Sequence, residues 1–273
     1  MDLATTLRVP LGAKDFLRGV DPAFHADMAN DAATEALTAH NLKRLREGQV
    51  RLYAESKRGL LICLQGMDGA GKDGVVTHVI GAMNPMGCRV YSFKQPSAEE
   101  RAHDFLWRIH KCAPARGWIS VFNRSHYEGV LVERVHKLVA PEAWQARYRQ
   151  INEFERLLGD NGVTILKFFL HIGKKEQLER FKGRMDDPAK RWKVSEADYA
   201  EREHWDAYQN AYEDALAQCS PPNAPWFVVP ADHKWFRNFA VSQIVADAFD
   251  ALKIGPPQPR TDLAALRTKY HVG

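Results

Sequence analysis

The segment Gly66-Met67-Asp68-Gly69-Ala70-Gly71-Lys72 fits G-x-x-x-x-G-K and constrains this chain more than any other stretch. It follows an apolar run at 59–64, read as a buried strand, and precedes a helical pattern at 75–83. In that setting the glycines let the backbone curl until successive N–H groups point at one phosphate. The following helix adds its positive N-terminal end, and Lys72 adds a mobile full charge. Gly66, Gly69, Ala70, Gly71 and Lys72 are therefore expected to bind phosphate.

The rest of the chain supplies a scaffold for such a loop. Apolar runs at 89–93, 118–122, 163–170 and 226–229 read as further strands. Helical patterns lie at 31–56, 98–110, 141–158, 174–183, 196–218 and 236–252, with Pro141 well placed to open its helix. Strands alternating with helices imply βαβ units. The expected fold is α/β, a P-loop kinase-like parallel sheet flanked by helices. The expected layout is an N-terminal extension with a long helix (1–57), a core (58–253) with a charged lid near 183–195, and a tail (254–273). Residues 1–25 read as irregular.

Composition narrows the functional class. Lys plus Arg is 38 and Asp plus Glu 34, a net charge of +4, too mild for nonspecific wrapping of nucleic acid. An apolar content of 45% excludes disorder as the main state. No apolar run reaches membrane-spanning length, and Lys167 breaks the longest. Residues 1–9 lack a basic region followed by an apolar one, so no secretory signal is expected. Cys63, Cys88, Cys112 and Cys219 form no CxxC pair, which suits reduced thiols in a cytoplasmic protein.

The loop departs from the usual nucleotide pattern at one position. Asp73, not Ser or Thr, follows Lys72. Two acids beside a phosphate cradle, Asp68 and Asp73, make sense where a divalent cation bridges them to phosphate oxygens. Further along, the strand at 118–122 runs into Asn123-Arg124-Ser125-His126-Tyr127-Glu128. An acid that reaches magnesium is usual at this strand end. Asn123 offers an amide oxygen instead, and Arg124 faces the ligand crevice at the carboxyl edge of the sheet.

GMDGAGKDG and FNRSHYEGVLVERVH together resemble the polyphosphate kinase 2 family. Phe93-Lys94-Gln95-Pro96-Ser97, Asp187-Pro188-Ala189-Lys190-Arg191-Trp192-Lys193, Glu203-His204-Trp205-Asp206-Ala207-Tyr208 and the stretch from Ala224-Pro225-Trp226 to Lys234-Trp235 extend the resemblance, in order, over about 7–253. It implies a thymidylate-kinase-like fold with a mobile lid, and transfer of phosphate between inorganic polyphosphate and nucleotides with Mg²⁺, or Mn²⁺ in its place. The N-R-S-H-Y-E form is similar to the family's third class, which phosphorylates nucleoside mono- and diphosphates, and Glu128 is the residue connected with that breadth. Gly129 and Glu133 depart from the family pattern at positions not expected to touch phosphate.

Polyphosphate has no base or sugar to recognise, so only cations and N–H donors along a track can hold it. Candidates are Arg124, Arg184, Lys190, Arg191 and Lys193, with Lys72 and the loop amides at the reactive end and Lys94 as a further member of the track. Asp68 and Asp73 are expected to hold the metal or orient the acceptor phosphate, and Asn123 and Glu128 to tune the acceptor side. Trp192 either stacks on a ligand or packs the lid on the core. His126 and Tyr127 read as structural partners, and Glu203, His204 and Asp206 as a polar helix face rather than a metal cluster. Expected partners are AMP, ADP, ATP and guanine nucleotides. A homo-oligomer, dimer or tetramer, follows from the family, with the N-terminal helix as a contact; neither nucleic acid nor membrane is expected. The competing reading is an ATP-dependent nucleoside monophosphate kinase, against which Asp73 argues.

Overall fold

The computed structural model describes residues 2–259 and 261–270. The chain opens with α1 (Leu3–Leu7) and the long α2 (Ala32–Glu55), whose first turn is capped by Asp31 accepting from the Thr34 N–H. The core then runs β1 (Gly59–Gln65), α3 (Lys72–His78), β2 (Cys88–Ser92), α4 (Ala98–Arg101), α5 (Trp107–His110), β3 (Ile119–Asn123), α6 (Val132–Val135) and α7 (Pro141–Asp160). It continues through β4 (Val163–His171), α8 (Lys174–Asp186), α9 (Glu196–Glu201), α10 (Trp205–Gln218), β5 (Trp226–Pro230) and α11 (Lys234–Ala251), and ends in α12 (Leu263–Tyr270).

All five strands are parallel, in the order β2-β3-β1-β4-β5. β1 is flanked by β3 on one side and β4 on the other. The connections diverge at its C-terminal end, which is where an open α/β sheet leaves its ligand crevice. Every residue of β1 is buried, and its side chains alternate between two apolar layers. Leu60, Ile62 and Leu64 face the layer shared with α11, and Leu61 and Cys63 face the one shared with Phe154 and Leu158 of α7. β2 is the exposed edge.

The N-terminal residues are built into the core. Leu3, Leu7, Val9 and Leu17 are buried. The Val9 N–H donates to Trp226 O at 2.9 Å, and the Asp232 N–H to Pro22 O at 3.1 Å, so the segment that reads as irregular carries a helical turn and clamps β5. α2 lies along α11. Gly48 sits so close that a Cβ there would be 2.5 Å from the Phe249 ring, and Arg44 pairs with Asp247 at 2.7 Å.

Two expected helices are divided. In 98–110, Ser97 and Glu100 close a capping box around one turn, and Asp104 restarts the chain by accepting from the Leu106 N–H. In 196–218 a 3-10 turn at Arg202–His204 separates α9 from α10; there Arg202 leaves the helix line to donate to Lys174 O at 3.0 Å. The helix α12 lies in the stretch read as a tail. All four cysteines are free, and among the described residues no helix is long and apolar enough to cross a membrane.

His171, at the end of β4, links this packing to pH. Burial pushes its imidazole down to about 4, against small opposing contributions from Val20 and Asp21. The unfolded chain protonates the same ring near ~6.5. A depressed folded pKa means the stabilisation is complete above the unfolded value and is lost as pH falls toward the folded one. Denaturant titrations at pH 7 and pH 4.5 should show His171→Gln losing about 2 kcal/mol less stability than the parent across that interval.

Candidate active site

The loop between β1 and α3 is drawn tight by three glycines with positive φ, Gly66 at 152°, Gly69 at 82° and Gly71 at 101°. Lys72 is buried and its Nζ donates to Gly66 O at 2.6 Å and Met67 O at 3.3 Å. Burial lowers its pKa, and the Asp68 carboxylate pulls the other way. Helices behind the loop supply the remaining donors. Gln177 donates to Asp68 O at 2.6 Å. Arg180 donates to Gly69 O at 3.0 Å and Ala70 O at 3.2 Å, and spans to Asp232 O at 2.9 Å. Arg237 donates to Ala70 O at 3.3 Å, and its burial brings the guanidinium down to about 10. Sequence reasoning missed Gln177, Arg180 and Arg237. In the sequence they are ordinary polar positions on helices, and only the tertiary fold turns them toward the loop.

Above the loop, the β3 end brings the second cluster. Arg124 adopts a left-handed backbone at φ 61°, rare for a long side chain, and its guanidinium reaches Asp68 at 2.8 Å and Glu128 at 3.8 Å. Burial opposes the charge on Arg124, but Glu128 and Asp68 outweigh it and raise its pKa further. Burial likewise opposes ionisation of Asp68, yet Lys72, Arg124 and Arg184 hold its carboxyl below the usual range. Gln65, the last residue of β1, donates to Glu128 at 3.0 Å. Asp68, Lys72, Arg124 and Glu128 thus form one chain of alternating charge beside a cavity of about 250 Å³. Gly66, Asp68, Arg124, Glu128, Tyr208 and Tyr212 are among its walls.

A second group lies at the start of α3. Asn123 donates to Asp73 at 2.8 Å, and Lys193 of the lid approaches Asp73 at 3.7 Å. Arg184 pairs with Asp198 of α9 at 3.0 Å, which ties the lid to the cavity wall. Burial and the nearby Asp68 raise the Asp198 pKa. The other lid cations stand apart. Lys190 pairs with its own loop's Asp187, and Arg191 donates to Met185 O at 2.9 Å. Trp192 is 78% exposed with the Lys193 ammonium over its ring, so it does not pack on the core. Lys94 lies exposed beyond the end of β2. Among the described residues no group of three His, Cys, Asp or Glu converges as a metal cage, and Glu203, His204 and Asp206 form none. What the site offers a cation is hard oxygen from Asp68 and from the exposed carboxylate of Asp73. That donor set suits Mg²⁺, which keeps waters and substrate phosphates in its shell.

Comparison with known proteins gives a consistent picture. A sequence profile of the Polyphosphate kinase 2 (PPK2) family matches residues 28–255. An AMP/ADP-polyphosphate phosphotransferase of Meiothermus ruber is 50% identical over 230 residues, covering 84% of this chain and 86% of that protein. An ADP-polyphosphate phosphotransferase of Rhodopseudomonas palustris is 47% identical over 80% of this chain and 79% of its own length. The crystal structure of Polyphosphate Kinase 2 from Arthrobacter aurescens TC1 superposes with a TM-score of 0.94 at 44% identity, covering 98% of this chain and 96% of that one.

The loop's geometry is open to a direct test. A Cβ on Gly71 would lie 1.9 Å from Arg237 Nη1, and its φ of 101° resists any side chain. Gly71→Ala should cost about 2–3 kcal/mol in urea unfolding. Gly183 has nothing within 4 Å and lies inside α8. Gly183→Ala should stabilise by about 0.5–1 kcal/mol in the same assay.

Proposed function

Because this chain belongs to the polyphosphate kinase 2 family, we propose that it moves the terminal phosphoryl group of inorganic polyphosphate reversibly onto AMP and ADP, with guanine nucleotides as further acceptors. The observation that supports this best is the Arg124 guanidinium, held by Asp68 and Glu128 directly beside the glycine loop. Two polyanions must meet end to end for the transfer, and a fixed cation at their junction offsets their repulsion.

An acceptor oxygen of the nucleotide's terminal phosphate attacks the last phosphorus of the chain. The P–O bond to the penultimate unit breaks, and polyphosphate leaves one unit shorter. The second pKa of a phosphate is near ~6, so the nucleophile is ionised at neutral pH and needs no strong base. Positioning and charge neutralisation then carry the acceleration.

Lys72, the loop amides and Arg124 neutralise the transferring group. Arg184, Lys190, Arg191, Lys193 and Lys94 receive the length of the polyphosphate chain, and Asn123 and Glu128 orient the acceptor. Asp68 and Asp73 would hold Mg²⁺, or Mn²⁺ in its place, and the ion when bound would add positive charge at the phosphate oxygens. The protein acts in the cytoplasm as a homo-oligomer, dimer or tetramer, with the long helix α2 as a contact.

Purified protein incubated with polyphosphate, Mg²⁺ and AMP or ADP should form ADP or ATP, read by chromatography of the nucleotides. Absence of product with every nucleotide refutes the proposal, and turnover of ATP with AMP that ignores polyphosphate favours the ATP-dependent kinase instead. Arg124→Met should lower kcat about 10²–10³-fold. Arg124→Lys should restore little of it, because a point charge does not replace the guanidinium fork.

A further inference from the structure

Directly beneath the segment that carries Arg124 and Glu128 lies a group of buried polar side chains that the transfer chemistry leaves unassigned. Lys167 projects from the middle of β4 and Glu155 from α7, with side chains 0% and 1% exposed. Lys167 Nζ donates to Glu155 Oε2 at 2.5 Å, to Tyr127 Oη at 2.9 Å and to Cys219 O at 2.6 Å. Glu155 Oε1 also accepts from the Tyr127 hydroxyl at 3.0 Å and from His126 Nε2 at 3.0 Å. Burial opposes ionisation of Glu155, but Lys167 and His126 hold its pKa down, so it stays an acceptor for all three donors.

An ion pair this deep is an expensive way to fill a core, and an apolar pair of similar volume commonly serves stability as well. What distinguishes this one is its cargo. His126 and Tyr127 open the short turn His126–Gly129, which begins two residues after the left-handed Arg124 and includes Glu128. Strained backbone persists only where its surroundings over-determine it. Ser125 caps the turn locally, accepting from the Tyr127 N–H at 3.3 Å, and the two side chains anchored on Glu155 fix its height above the sheet.

We infer that Lys167 and Glu155 are positioning residues for the transfer, holding the His126–Tyr127 turn so that Arg124 meets the transferring group and Glu128 the acceptor. This deepens the polyphosphate reading and rests on it. The pair touches no substrate. Its hydrogen-bond partners are His126 and Tyr127 of the turn and Cys219 O at the end of α10, none of them in the lid or the glycine loop.

Two variants test this in the full-length enzyme. Tyr127→Phe keeps the ring against Trp226, 4.7 Å away between centroids, and removes only the hydroxyl shared by Lys167 and Glu155. The double variant Lys167→Met/Glu155→Leu removes both charges together, whereas either single change leaves a buried charge unpaired. For both, kcat with AMP should fall about tenfold or more, as expected for a displaced catalytic group. The KM for polyphosphate should stay within about twofold, because the lid cations that hold the chain are unaltered.

The loss should persist when the assay is run well below the unfolding midpoint measured for each variant. A folded Tyr127→Phe enzyme with parental kcat overturns the inference, as does a loss that disappears on cooling or one confined to the KM for polyphosphate. If the double variant does not fold, Tyr127→Phe decides alone. A parental enzyme without polyphosphate turnover refutes the functional reading itself, a different result from parental turnover that the variants retain.

Discussion

A backbone that turns its N–H groups toward one point must turn its carbonyls elsewhere, and the rest of this molecule is arranged around that constraint. Residues 66–71 curl through three positive-φ glycines, and the carbonyls of Gly66, Met67, Asp68, Gly69 and Ala70 are all met by side-chain donors. Buried carbonyls without partners would cost more than the turn could sustain. Lys72, Gln177, Arg180 and Arg237 answer that demand from α3, α8 and α11, so three helices are fixed relative to β1 by the loop's own hydrogen-bonding needs. The cations serve twice, because their charge also lies behind a surface built to receive anions.

The opposite problem appears above the loop. Asp68, Asp73 and Glu128 are acids placed where anionic substrates must come, and each is matched within the protein: Asp68 by Lys72 and Arg124, Asp73 by Asn123 and Lys193, Glu128 by Gln65 and Arg124. The lid joins this pattern through Lys193 and through Arg184 on Asp198. Lys193 faces a carboxylate across a gap of 3.7 Å that is exposed to solvent, an arrangement of small energetic weight that an approaching phosphate can compete for. Lys190 and Arg191 pair within residues 185–191, so the lid's cations divide into those that reach other elements, Arg184 and Lys193, and those held by the lid's own neighbours.

How much of this was legible in the sequence depends on whether the information was local. The glycine loop, its strand and its helix were legible because φ preference, apolar run and helix start all fall within twenty residues or so of one another. The strand order was not, since it depends on crossovers that only packing decides. The divided helices at 98–110 and 196–218 escaped because polar side chains compete with the helix: Asp104 turns back to accept from the Leu106 N–H, and Arg202 finds Lys174 O outside the helix line. Lys167 carried a readable hint. A lone cation inside an apolar strand is out of place, and it signals a buried partner without saying that the partner is Glu155 in the preceding helix. Gln177, Arg180 and Arg237 left no such mark, being ordinary on a helix surface until the loop is folded against them.

The buried pair and the loop supports together suggest a division of labour between rigid and yielding parts. The underside of the loop and the turn at Ser125–Gly129 are held by groups with little or no solvent access, where hydrogen bonds to charges are strong and alternatives are few. The lid is held by partly exposed pairs that salt and ligands can exchange. A transfer between two polyanions needs both properties. Charge at the reacting phosphorus must be pre-placed, since reorganising it during the reaction would give back the electrostatic advantage. Charge along the polyphosphate must be adjustable, because the chain shortens by one unit with every turnover and has to be gripped again at a new register.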